Sequence, residues 1–104
     1  MLNQIVLVGR IVSIIMQDDD KGNRGVVTIS VPASIKDESG EYPTDKIEIE
    51  LFDNIAKNTV DYCKKGDVIG VKGRIHKRDD KPMKIVAEKV TFLTSRKGEE
   101  ENYD

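Results

Sequence analysis

Residues 46–77 read KIEIELFDNIAKNTVDYCKKGDVIGVKGRIHK, and the spacing of their apolar residues changes twice. In KIEIELF every second residue is Ile or Leu. This is the pattern of a strand that buries Ile47, Ile49 and Leu51 and turns Lys46, Glu48, Glu50 and Phe52 outward. In DNIAKNTVDYCKKG the period lengthens to that of a helix, with Ala56, Val60 and Cys63 on one face. Asp53 or Asn54 is placed to cap its start, and Gly66 ends it after Lys64 and Lys65, two cations suited to a last turn. DVIGVKGRIHK then returns to strand spacing.

Outward from this unit the chain is all strand and loop. Gln4 to Met16 is almost continuously apolar and β-branched, which predicts a long strand, with Gly9 as the point of a bend or bulge. Both of its faces are apolar: Ile5, Leu7, Ile11 and Ile15 on one, Val6, Val8, Val12 and Ile14 on the other. A barrel needs one such face for its core. The other, through Val6, Val8 and Val12, is expected to meet a second copy of the chain. QDDDKGNRG is a turn-rich loop, VVTISVP a second strand stopped by Pro32, and ASIKDESGEYPTD a polar excursion read as a flexible arm. After DVIGVKGRIHK, the loop RDDKP leads into a fifth strand, MKIVAEKVTFLTS. The order is strand, strand, strand, helix, strand, strand. It predicts an all-β fold, the five-stranded OB-fold Greek-key barrel with one helix between strands 3 and 4.

With 104 residues the chain suits one domain, assigned to residues 1–94, followed by an acidic tail over 95–104 expected to be disordered. The net charge of −2 resides in that tail, so any attraction for phosphate must come from local placement of Lys and Arg. Cys63 is alone, which excludes an intramolecular disulfide and suits a reducing cytoplasm. The start lacks a basic leader, and no apolar run is long enough for a spanning helix. His76 is the one histidine, so neither a hydrolytic triad nor a metal site is expected. DDDKGN resembles the start of a calcium loop but places Gly22 and Ile29 where oxygen ligands belong. No enzyme and no cofactor are expected.

Taken together, QIVLVGRI, VTISV, LFDNIAKNTVDYCKKGDVIGVKGRI and AEKVTFL resemble the bacterial single-stranded DNA-binding protein family over residues 2 to about 94. The resemblance implies a homotetramer or dimer built partly on the first strand. It also implies single-stranded DNA lying over the outer barrel face, in replication, recombination or repair, with replication or repair proteins as partners. Unpaired bases offer π-faces whatever their identity, so stacking contributes about 1–3 kcal/mol per base while cations follow the backbone. Phe52 matches a family stacking position, and it stands out in a chain with two Phe, three Tyr and no Trp.

Three departures imply weaker or differently routed binding. Lys46 stands where the family usually carries a second aromatic, Glu48 and Glu50 intervene, and RDDKP is short. Each glutamate would disfavour a nearby phosphate by about 1 kcal/mol in a watery groove. The tail ends in NYD, where the family closes on Pro and Phe. The expected nucleic-acid-binding residues are Phe52 and Lys46 on the third strand, Lys72, Arg74, Lys77 and Arg78 along the fourth and its exit, Arg10 on the first, and Lys36 and Tyr42 on the arm. Arg10, which interrupts an apolar strand, could alternatively pair with an acid across an interface. A second reading keeps the fold but not the ligand: a primosome-type protein-interaction accessory with weak nucleic-acid binding. Stacking alone does not separate DNA from RNA.

Overall fold

The computed structural model describes residues 1–19 and 22–94. The expected tail over 95–104 lies outside them. Five strands and one helix follow in the expected order: β1 (Ile5–Asp19), β2 (Gly22–Pro32), β3 (Thr44–Phe52), α1 (Asp53–Tyr62), β4 (Val68–His76) and β5 (Lys84–Phe92). The strands close into a barrel in the order β1-β2-β3-β5-β4. All pairings are antiparallel except β3 with β5, which is parallel and joins Ile49 to Ile85 and Glu50 to Val86.

β1 is long because it serves two neighbours. Ile5–Arg10 pairs with β4 and Arg10–Asp19 with β2. At the handover Val12 is an extra residue without a partner, a β-bulge between Ile11 and Ser13. The bulge falls here and not at Gly9. It also reverses the inward phase, so Ile11 is buried, Ile14 and Met16 pack on the core, and Ile15 is exposed, against the sequence expectation for Ile14 and Ile15. Gly9 instead permits a close approach. A Cβ there would lie 2.6 Å from the Ser30 carbonyl oxygen, so its absence lets β1 draw near β2 at the corner. A second bulge, at Glu88 in β5, falls between the pairs Lys72–Lys89 and Gly73–Ala87.

The core is the inward set of the alternating strands: Ile11, Val27, Ile29, Ile49, Leu51, Ile69, Val71 and Ala87. Burying one such aliphatic side chain contributes about 1.5–3 kcal/mol, so this interior is the main favourable term. Helix α1 closes one end of the barrel with Ala56, Thr59 and Cys63 inward. Thr59 takes the place expected for Val60, which is exposed. A hydroxyl tolerates burial here because Thr59 Oγ1 donates to the Ile55 carbonyl four residues earlier at 2.7 Å.

The helix ends also differ from expectation. Phe52 is the N-cap and has no side-chain capping bond, while Lys64 and Lys65 lie beyond the last turn. Gly66, at φ 98°, serves the turn after the helix, where its N–H donates to the Ile11 carbonyl at 2.9 Å. Asp53 adopts φ 54°, a left-handed conformation that Asp tolerates better than most residues. That sharp turn sends the chain from β3 into α1 and leaves the Phe52 ring on the outer face.

Candidate nucleic-acid interface

Along β3 the outward residues are Lys46, Glu48, Glu50 and Phe52, as the alternation requires. Phe52 is 36% exposed and faces Arg24 across the β2–β3 ladder. It forms part of the wall of a groove of about 420 Å³ that Arg24, Glu50, Arg74, His76, Arg78, Lys81, Pro82, Lys84 and Val86 complete. Five of these side chains are Lys or Arg and one is a carboxylate, so the groove is strongly positive although the chain is not. A smaller hollow of about 240 Å³ also borders Phe52, lined by Ile15, Gln17, Arg24, Gly25, Val26, Glu48, Glu50 and Leu51. Phe52, Arg24 and Glu50 are common to both. Lys84 Nζ lies 3.4 Å from Glu50 Oε2, so part of the glutamate's charge is already balanced.

Of the expected binding residues, the groove brings together Phe52, Arg74 and Arg78. Lys72 shares the outward face of β4 with Arg74 but sits between Val6 of β1 and Lys89 of β5, outside the groove. Lys77 turns back on its own loop and donates to the carbonyls of Arg78 at 2.5 Å and Asp79 at 3.3 Å. Within its own chain Arg10 donates to the Gly66 carbonyl oxygen at 2.6 Å and so braces the turn after α1. Lys46 borders a shallow, open depression with Thr28, Glu48 and Met83 at the far end of β3. Lys36 lies 5.6 Å from the centre of the Tyr42 ring, a cation–π pair that lines neither hollow beside Phe52.

The segment carrying that pair, expected as a flexible arm, is closed on itself by its own hydrogen bonds. Ala33 N–H donates to the Pro43 carbonyl and Asp37 N–H to that of Glu41. The Asp37 carboxylate accepts from the Ser39 hydroxyl and from the N–H groups of Ser39 and Glu41. The Ser39 hydroxyl bond, followed by the Glu41 amide, holds the Asp37 carboxyl below its ordinary range. Sequence reasoning missed Arg24, His76, Lys81 and Lys84. Arg24 falls in QDDDKGNRG, which reads as a loop, but β2 begins at Gly22 and its register with β3 sets Arg24 opposite Phe52. The signal for Lys81 lay in RDDKP, a loop too short to read as a binding arm.

Among the described residues, no helix is long and apolar enough to cross a membrane, and no group of three or more His, Cys, Asp or Glu is placed to hold a metal ion. Residues 2–93 match the sequence model of the Single-strand binding protein family. The chain belongs to that family. Membership makes it a binding protein and not an enzyme. It is similar to single-stranded DNA-binding protein B of Bacillus subtilis, with 39% identity over 75% of this chain and 71% of that protein. It is also similar to single-stranded DNA-binding protein 1 of Clostridium acetobutylicum, with 31% identity over 92% of this chain and 97% of that one. Among solved structures, a Plasmodium falciparum family member in complex with single-stranded DNA superimposes with a TM-score of 0.72 at 24% identity. The match covers 90% of this chain and 96% of that one, and it establishes the shared OB-fold barrel.

Proposed function

We propose that the protein coats and protects single-stranded DNA, without reading a defined sequence, in the cytoplasm during replication, recombination or repair. The observation that carries this reading is the half-exposed Phe52 ring set in a groove whose rim is Arg24, Arg74, Arg78, Lys81 and Lys84. A ring in that position stacks on any base, and the cations around it follow the phosphates. The curated relatives named above are single-stranded DNA-binding proteins, and the Plasmodium family member is a complex with that ligand; both support the assignment. The strand route favoured here runs from Phe52 toward the β4–β5 loop and away from Glu48, and the Lys46, Lys72, Lys77, Arg10, Lys36 and Tyr42 side chains make at most outlying contacts.

Homo-oligomerisation belongs to the same proposal. Val6 and Val8 stand outward on β1 at 64% and 51% exposure, while Val12, at the bulge, is half-buried. A dimer or tetramer would cover the first two. The protein-interaction reading has an observation of its own: Tyr62 and Phe92 form an outward ring pair 5.9 Å apart beside the helix. The deciding experiment is fluorescence anisotropy of a labelled mixed-sequence oligonucleotide of about 35 nucleotides, with its duplex as control, at rising salt. Tight binding to the single strand alone, with log K falling by about 0.7 per decade of salt for each phosphate neutralised, is expected. No binding at low salt sinks the proposal and leaves the protein-interaction reading.

A further inference from the structure

Glu48 and Glu50 are out of place on a face that is to receive a polyanion, yet Glu50 is built into the groove. It stands two residues before Phe52 on the outward face of β3, a step of about 7 Å, so a base stacked on the ring brings its edge toward this carboxylate. Its neighbours across the sheet are Val26 on β2 and Val86 on β5. These apolar flanks limit the water that competes for its oxygens. The ion pair with Lys84 at 3.4 Å anchors it without exhausting it, because a carboxylate has room for several donors. What it lacks is any hydrogen to give.

Resting on the single-strand reading above, we propose that Glu50 biases the groove toward bases that present an amino group, and so toward cytosine over thymine. Cytosine N4–H₂ donates to a carboxylate. Thymine sets its O4, an acceptor, at the equivalent position and meets the glutamate lone pair against lone pair. Both pyrimidines stack comparably on Phe52, so the difference between them isolates the edge contact. Arg24, Arg74, Arg78 and Lys81 hold the phosphates of either. The preference concerns base composition, leaves the order of bases unread, and would be absent from a purely stacking surface.

The test is anisotropy with labelled oligo-dC and oligo-dT of about 35 nucleotides, near pH 8 so that cytosine N3 stays unprotonated, at one fixed salt concentration. The intact protein is expected to bind oligo-dC about tenfold more tightly, the order of one charge-assisted hydrogen bond. In Glu50→Gln the amide both gives and accepts, so the ratio should collapse to within about twofold. Glu88→Gln removes an equal charge from the helix side of the barrel and should keep the ratio. Equal affinity for the two oligonucleotides, a preference for oligo-dT, a ratio that survives Glu50→Gln, or one that is lost in Glu88→Gln overturns the proposal and leaves single-strand binding intact. Absence of binding to both overturns the single-strand reading and this one with it.

Discussion

Phe52 and Cys63 lie on either side of the line between a side chain that works outward and one that works inward. The Phe52 ring contributes to the groove and not to the core, so Phe52→Ala should weaken single-strand binding by about 1–3 kcal/mol. The melting temperature should stay nearly unchanged; a fall of many degrees would place the ring in the interior. Cys63 is the reverse case. Burial, and next the Asp67 carboxylate, push its thiol from 9.0 to about 11, so the folded protein favours the neutral form. That contribution to stability is complete below pH 9.0 and is lost as pH rises toward about 11. Urea titrations across that range should show a decline that is shallower in Cys63→Ala. The outward Phe52 was legible from alternation alone, as was the inward Cys63 from helical spacing. Arg24 was not, because its polar, glycine-flanked surroundings read as loop, whereas strand pairing across the β1–β2 hairpin extends β2 back to Gly22 and sets Arg24 opposite Phe52.

At the level of elements, the existence of every strand and of the helix could be read from periodicity. However, β1 and β2 run on through residues 17–19 and 22–25, which the turn-rich composition of QDDDKGNRG assigns to a loop. The other misreadings cluster where the period slips. A bulge adds one residue and exchanges the two faces beyond it. Val12 does this to β1, so Ile14 and Ile15 exchanged places. No local property of Val12 announces a bulge; it arises because β1 must leave β4 and join β2 while the sheet coils. In the helix, Thr59 displaced Val60 because its back-bonded hydroxyl makes it a workable core residue. Glycines provide a sharper test. On β4, a Cβ at Gly73 would collide with the Val86 carbonyl group, whereas one at Gly70 would find side-chain atoms at 3.7 Å or more. Gly73→Ala should therefore cost about 1–3 kcal/mol or more in denaturant titrations and Gly70→Ala little. Equal effects would mean that β5 yields freely at its bulge.

For the whole molecule, the long β1 sets the architecture. It joins two neighbours on its edges and presents Val6 and Val8 outward. If copies assemble through that face, the double substitution Val6→Glu and Val8→Glu should convert the sedimenting species to monomer at micromolar concentration. A parent protein that is already monomeric would remove the idea. Charge at this scale misleads: a chain of net charge −2 carries a positive groove, because its cations meet from β2, β4, β5 and the loop between the last two. The parallel contact of β3 with β5 has a consequence for how the barrel breathes. Among the described residues that contact rests on two partnered positions, Ile49–Ile85 and Glu50–Val86, whereas β2 and β3 share nine. The cylinder thus has a short clasp, and amide hydrogens there should exchange with solvent sooner than those of the long ladders. Glu50 sits on the clasp, with Phe52 and Arg74 to either side of it. A bound strand would span the clasp like a suture, so its ligand should slow exchange there more than anywhere else in the barrel.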